Sequence, residues 1–551
     1  MLINKNFATF MGFDTKFSKI HGFFLAAFLI FISIFSACFS IGESRQPEIS
    51  QNSDAAAFEI TTPSVNLAKP LEISKEPEDA ALCEKINQII EQSEFANARW
   101  GVIAISLKDG RVVCGRDAQK LFNPASIEKI LTSIVALDKL GADFRFKTSV
   151  FAPNQIEADG TLNGDLVIYG QGAPDFDNEG LENLANQLQS KGLRHIKGNV
   201  VGDDSYFKGE TIGDGWTWND LQWYYGAEAS ALAFQENQAG VYMQDGKPTT
   251  STDYLQIQSE LRPTENGETK AFGIRRGLAD NQIYVWGNGD KASGRIAVHN
   301  PALWTARNLK ESLEKKGITI DGKSKSVDWK TKNKLNVGNA VELASVESKT
   351  LAEIVNRMNK HSVNVYGELI LRTLGKKFGD TAPDESRQIQ AVRGDDSAGA
   401  SVIKKWLTEK NVAADEIQIH DGSGLSRLNF VTPEAFGRAL IFAAQSNFAD
   451  VFKNSLPVAA TDGTLSGRLG KVKRKVLAKT GSVTYVNSLA GYAQASESEI
   501  FAFAIISNNI TRKNDSLRII DAIATSLVDV QSPNTQNSNK TNSNKNEKNY
   551  K

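Results

Sequence analysis

Three short stretches of the chain carry side chains able to act on a carbonyl. In Asn123-Pro124-Ala125-Ser126-Ile127-Glu128-Lys129, a serine and a lysine stand three residues apart. Apolar residues follow at Ile127, Ile130, Leu131, Ile134, Leu137 and Leu140, a spacing that predicts a helix with one buried face. Residues three apart lie on the same side of a helix, so the hydroxyl and the amine are neighbours. Pro124 suits the turn into such a helix. A serine hydroxyl is a weak nucleophile until a base takes its proton, and lysine can do so once burial or another cation lowers its pKa. Ser-x-x-Lys by itself says little, because an N-cap serine and a solvated lysine have the same letters.

Two more stretches add weight. Ser362-Val363-Asn364 falls between a helical stripe at Leu351, Ile354, Val355 and Met358 and a second one at Leu369, Ile370 and Leu374. Lys479-Thr480-Gly481 ends the strand-like run Val476-Leu477-Ala478, and its glycine lets a ligand backbone come close. In this order the three form the Ser-x-x-Lys, Ser-x-Asn, Lys-Thr-Gly set of penicillin-binding proteins and class A β-lactamases. The sequence resembles the D-alanyl-D-alanine carboxypeptidase/endopeptidase family, the low-molecular-mass class C penicillin-binding proteins with an insertion between the first two motifs. The 236 positions from Ser126 to Ser362 fit that branch. Gly215-Trp216-Thr217-Trp218-Asn219-Asp220, Met358-Asn359, Asp421-Gly422-Ser423-Gly424-Leu425-Ser426-Arg427 and Asp462-Gly463-Thr464-Leu465 are similar to the family as well. Val363 departs from it, since a polar residue is usual there.

The resemblance covers residues 80 to 530 or so and implies an α/β fold. This is a β-lactamase/transpeptidase-like catalytic domain, an antiparallel sheet with helices on both sides, carrying a large mostly β insertion. It implies acyl transfer on peptidoglycan stem peptides, with β-lactams as inhibitors and with no cofactor or metal. Ser126 is then the nucleophile, Lys129 its base and Ser362 a proton relay, while Asn364 binds the substrate amide. Lys479 and Thr480 take the terminal carboxylate, beside Gly481. The backbone N–H groups of Ser126 and Ser482 form the oxyanion hole. Arg427 and Thr484 stand where the family contacts the stem's side chain, with Asp203 or Asp204 reaching in from the insertion. Lys479 is expected to keep Lys129 neutral by like charge. A β-lactamase or related serine esterase is the alternative enzyme, and a non-catalytic peptidoglycan-binding protein is the alternative of another class.

Other constellations are weaker. His361 beside Ser362, and His420-Asp421 near Ser423, have the letters of a Ser-His-Asp triad, but there is no Gly-x-Ser-x-Gly elbow. The five histidines include no His-Glu-x-x-His. Gly317 to Ser324 matches a phosphate loop by letter, yet it follows a helical stripe rather than a strand and leads into no helix.

The elements that must position these residues follow from the rest of the chain. With 551 residues, 41% apolar and 23% charged, it can bury cores for several domains. Lys plus Arg is 63 against 64 for Asp plus Glu, so no nucleic-acid partner is expected. Lys16, Lys19 and His21 precede an uncharged, mainly apolar run from Gly22 to Ile41. Residues 1–41 read as a signal or anchor, and Phe35-Ser36-Ala37-Cys38 resembles a lipoprotein processing site. A lipid on Cys38, an uncleaved membrane anchor and a cleaved secretion signal are the three possibilities, all placing the body outside the cytoplasm. Residues 42–78 read as a disordered tether, 79–147 as the first catalytic part and 148–337 as the insertion, of one or two subdomains. Residues 338–530 complete the catalytic domain and 531–551 form a disordered tail. Cys83 and Cys114 either pair, as an extracytoplasmic location allows, or stay as two buried thiols.

Overall fold

The structure is a computed structural model that describes residues 58–60, 63–244, 247–288, 292–331, 337–380, 394–412, 417–511 and 515–529. The signal or anchor with Cys38, the start of the tether and the tail from 531 lie outside the described residues.

The chain begins its regular structure with α1 (Pro77–Glu91), β1 (Arg99–Ser106), β2 (Val112–Arg116) and α2 (Glu128–Leu140). The insertion follows, with β3 (Lys147–Ala152), β4 (Leu166–Gly170), β5 (Val200–Asp203), β6 (Phe272–Arg276), β7 (Ala292–Ala297), β8 (Ser324–Val327) and β9 (Val341–Glu347) as its main strands. The chain then returns through α3 (Leu351–His361), α4 (Asn364–Phe378), β10 (Val476–Val483), β11 (Val486–Ser496), β12 (Glu499–Asn508) and α5 (Asp515–Val528).

The catalytic sheet has the order β10-β11-β12-β1-β2 and is antiparallel throughout. Its central strands are buried on both faces, because alternate side chains feed separate cores. Val102 and Ala104 of β1 pack with Leu82, Ile86 and Ile90 of α1 and with Ile519, Ile520 and Ile523 of α5. Ile103 and Ile105 pack on the other side with Ile127, Ile130 and Ile134 at the nucleophile helix and with Phe436 and Leu440 of the helix Pro433–Gln445. The expected antiparallel sheet with helices on both sides is therefore present. Cys83 on α1 and Cys114 on β2 are joined as a disulfide, with Cα atoms 4.8 Å apart.

The insertion has a five-stranded sheet of order β8-β5-β4-β3-β9, helices Asn178–Ser190 and Pro301–Lys315, and, among the described residues, three three-stranded sheets. The helix Asn178–Ser190 escapes a reading that weighs only Gly, Asn and Asp. Its N-cap Asp177 and its buried Leu181, Leu184 and Leu188 mark it. Strand β9 pairs antiparallel with β3, so the boundary expected at 337/338 falls ahead of a strand that belongs to the insertion's sheet. The Gly317 to Ser324 stretch is a turn between a helix and short strands, as its β-branched residues suggest.

The tether expected over 42–78 needs correction. Val65 is buried, and across the open edge of β2 the Ser74 N–H donates to the Val112 carbonyl and the Val112 N–H to the Glu72 carbonyl. Gln445 Nε2 donates to the carbonyls of Pro63 and Val65. An edge strand offers unpaired N–H and C=O groups, and this arm covers them.

Candidate active site

The nucleophile turn is fixed before its helix begins. Asn123 receives a hydrogen bond from the Asn508 side chain at its carbonyl, and its N–H donates to Asn508 Oδ1 at 2.8 Å. The Asn123 side chain in turn accepts from the Ala125 N–H and donates to the carbonyls of Ser426 and Asn429. Ala125 is held at φ +50°, a left-handed conformation that an alanine rarely adopts. Ser126 then sits in a one-turn 3-10 segment, Ala125–Ile127, and is the only residue from Phe122 to Ile130 that is not buried.

Lys129, on the first turn of α2, is fully buried. Its Nζ lies 3.0 Å from Ser126 Oγ, 2.7 Å from Asn364 Oδ1 and 2.6 Å from the Ser423 carbonyl. Two of these three neighbours are oxygens that can only accept. A neutral amine has two N–H groups for them and one lone pair, which is left facing the serine hydroxyl. Burial pulls the Lys129 pKa down to about 7, against the opposing pull of Asp421, Glu368 and Glu128.

The Ser423 carbonyl is aimed by a network of buried acids. Asp421 accepts from Trp216 Nε1, Ser423 Oγ, Asn429 Nδ2 and the N–H groups of Gly424 and Ser426. Glu368 Oε1 accepts from the N–H groups of Gly422 and Ser423, and Glu368 Oε2 pairs with Arg372 at 2.8 Å. Burial, with Asp421 nearby, raises the Glu368 carboxyl to about 7.

The second and third motifs meet the first at this point. Ser362 caps α3 in a left-handed conformation, φ +57°, which turns the chain into α4 and presents Asn364 to Lys129. Lys479 is fully buried, with Nζ donating to Ser362 Oγ at 2.9 Å and to the Thr480 carbonyl at 2.7 Å. Burial and then the Lys129 charge hold Lys479 well below the usual lysine range. The expected like-charge effect thus falls on Lys479, whereas Lys129 is lowered by burial itself. The hydroxyls of Thr480 and Thr464 are 2.7 Å apart. Gly481 has a tighter reason to be glycine than ligand approach: a Cβ there would stand 2.2 Å from Ser488 Oγ and 2.9 Å from the Ser126 nitrogen. The nucleophile turn and β10 are packed backbone to backbone. Ser482 is exposed on the same strand, with Oγ donating to Asn487 Oδ1.

The outlying expectations fare differently. Arg427 donates to the Leu425 carbonyl and lies 4.0 Å from Asp220 Oδ2. Asp220, 6% exposed, also accepts from the Thr217 hydroxyl, so it is the insertion's carboxylate at this wall. Asp203 and Asp204 are not there. Asp203 is buried in β5, and Asp204 accepts from Ser230 and lines a separate cavity with Trp329 and Arg372. Thr484 is exposed in the turn after β10. His420 pairs with Asp214, and Ser423 Oγ meets Asp421, so no triad forms. Val363 packs its side chain against the core.

The sequence profile of the D-Ala-D-Ala carboxypeptidase 3 (S13) family matches residues 82–530. The chain is 28% identical over 477 residues to a D-alanyl-D-alanine carboxypeptidase of Actinomadura sp. (strain R39), covering 81% of this chain and 84% of that one. It is 26% identical over 422 residues to the D-alanyl-D-alanine carboxypeptidase DacB of Haemophilus influenzae, covering 73% and 84%. The crystal structure of penicillin binding protein 4 from Haemophilus influenzae shares the fold, with a TM-score of 0.69 at 24% identity over 81% of this chain and 98% of that one.

If Lys129 must be an uncharged amine to accept the Ser126 proton, the rate of acylation by benzylpenicillin rises with pH. It should climb about tenfold per pH unit below the Lys129 pKa and level off above it. Stopped-flow acylation rates against pH check this, with the bend at about 7. A bend in the ordinary lysine range contradicts it.

Proposed function

The chain belongs to the D-Ala-D-Ala carboxypeptidase 3 (S13) family, and on that premise we propose that Ser126 and Lys129 carry its acyl transfer. It is a serine-type, penicillin-binding peptidase of the D-Ala-D-Ala carboxypeptidase/endopeptidase class that acts on peptidoglycan stem peptides. The observation that carries the residue assignment is the Lys129 amine, sealed from water and 3.0 Å from the Ser126 hydroxyl.

Ser126 Oγ attacks the carbonyl of the bond after a D-residue as Lys129 takes its proton. The N–H groups of Ser126 and Ser482 receive the developing oxyanion, where one such donor is worth about 3 to 4 kcal/mol. The proton passes to the leaving nitrogen through Ser362, whose hydroxyl already meets Lys479. Asn364 holds the substrate amide. Lys479 and Thr480 bind the terminal carboxylate, and an incoming carboxylate favours the charged form of a lysine whose pKa burial and the Lys129 charge hold down. Water then cleaves the acyl-enzyme.

Arg427 and Asp220, opposite charges on one wall of the cleft, receive the polar side chain of the stem, with Thr484 at the end of β10 as a further contact. The insertion, running from β3 to the end of β9, supplies Asp220 to that wall, and the catalytic part supplies Arg427. The β-lactam complex of penicillin binding protein 4 from Haemophilus influenzae, alike in fold with a TM-score of 0.64, supports β-lactams as acylating inhibitors here.

The Ser126→Ala enzyme should lose all labelling by a fluorescent penicillin. Label that survives the substitution rules out the assignment. Weighing the products from a pentapeptide and from a cross-linked dimer separates carboxypeptidase from endopeptidase action, and rapid turnover of a chromogenic cephalosporin would favour a β-lactamase instead.

The body belongs outside the cytoplasm, held by its N-terminal segment, with Cys38 lipidated. The Cys83–Cys114 disulfide supports an oxidising compartment. Among the described residues no helix is long and apolar enough to cross a membrane. Growth on labelled palmitate should mark the protein, and equal label on a Cys38→Ala form excludes the lipid.

A further inference from the structure

The wall that the insertion contributes to the cleft is held from two sides. On the catalytic side, Asn364 Nδ2 donates to the Tyr225 carbonyl at 2.7 Å, Trp216 Nε1 donates to Asp421 and the Arg427 N–H donates to the Gly215 carbonyl. Gly215, at φ +77°, fits so closely that a Cβ would stand 2.5 Å from Ser426 Oγ. On the insertion side, the Ala297 N–H donates to the Gln222 carbonyl, Trp223 bridges to Ile296 of β7, and the Arg295 guanidinium lies 3.6 Å from the Tyr224 ring centre.

One further contact on that side is unusual. Arg276, the last residue of β6, is 2% exposed, yet its terminal nitrogens bond to backbone carbonyls rather than to a carboxylate. Nη1 donates to Gly277 and Asp280, both at 2.8 Å, and Nη2 donates to Leu221 at 2.6 Å. A buried guanidinium normally bonds an acid directly, because desolvating it unpaired is expensive, whereas Glu228 and Asp280 act on this one as nearby charges. Charge-assisted hydrogen bonds are about twice as strong as neutral ones. Here two of the bonds close the turn after β6 and the third, the shortest, fixes a carbonyl outside it, that of Leu221, next to Asp220.

We propose that Arg276 is a positioning residue for substrate selection: by gripping the Leu221 carbonyl it fixes the Asp220 carboxylate beside Arg427 and so shapes the wall that receives the stem side chain. This rests on the reading of Asp220 and Arg427 as the stem-binding wall. Arg276 touches neither substrate nor reacting atoms, and it lies in a part of the insertion that supplies no residue of the three motifs. It gives the outer β sheets of the insertion a function, as the rigid mount of one side of the cleft.

The test compares Arg276→Met, Arg276→Lys and Asp220→Asn in the full chain. In Arg276→Met, KM for a stem pentapeptide should rise about tenfold while kcat changes less than about twofold, as expected when ground-state and transition-state binding are lost alike. Hydrogen exchange of the amides from 220 to 226 should quicken. Arg276→Lys, which keeps a charge but offers no planar fork, should fall between the two forms in both readouts. Asp220→Asn should raise KM with the amides still protected. Wild-type KM or unchanged exchange in Arg276→Met overturns the proposal, and if that variant does not fold, wild-type values in Arg276→Lys overturn it equally. A raised KM in Asp220→Asn alone removes only the role of Arg276, whereas wild-type KM in Asp220→Asn removes the stem-binding wall and this proposal with it.

Discussion

Lys129 has its amine sealed from water among two carbonyl oxygens and one hydroxyl, and the desolvation of its charged form is the largest force on that site. Taking an ammonium out of water costs several kcal/mol even after relaxation. The buried acids Asp421, Glu368 and Glu128 pull the other way, and the balance leaves the amine near neutrality. The same acids do a second job. Asp421 gathers the 421–429 loop through four donors, with Trp216 of the insertion as a fifth, and Glu368 grips the N–H of Ser423, so that the Ser423 carbonyl stands where Lys129 needs it. A base whose pKa burial lowers to about 7, held in place by groups that favour its charged form, is sensitive to any loss of packing around it.

Geometry at both serines is held by backbone conformations that the local sequence would not choose. Ala125 and Ser362 are left-handed at φ +50° and +57°, each at a strain of about 1 to 2 kcal/mol for a residue with a Cβ. The Asn123–Asn508 pair on one side and the Lys479–Ser362 contact on the other keep them there. The sheet supplies the frame: β10 presses Gly481 against the Ser126 backbone, and the Ser488 hydroxyl of β11 donates to the Pro124 carbonyl, fixing the nucleophile turn from beneath. Three segments far apart in sequence therefore converge because two cores, one on each face of a single antiparallel sheet, leave them no other arrangement.

The side chains named by the motifs were legible because Ser126, Lys129, Ser362, Asn364 and Lys479 act through their own functional groups, and a letter records each. The acceptors that complete the site were not. The carbonyls of Ser423 and Tyr225 belong to the backbone, and no residue type announces where a carbonyl points. Choosing between Asp203, Asp204 and Asp220 fails from sequence for a related reason: all three are carboxylates of the insertion, and only the fold places Asp220 4.0 Å from Arg427. The arm at residues 63–76 looked like a tether because it has few apolar residues, and its docking depends on β2 being an edge strand, which is a property of the whole sheet. Strand β9 reads from sequence as catalytic because its partner, β3, lies almost two hundred residues earlier.

An uncharged Lys129 beside Ser126 is the claim on which the proposed chemistry stands. Its most direct measurement is the titration of the Lys129 side chain by NMR, with 13Cε-labelled lysine and the resonance assigned by its absence from a Lys129→Met form. A midpoint at about 7 is the result this account predicts. A midpoint in the range of an ordinary solvated lysine would mean that the amine is a cation in the resting enzyme, and would contradict it.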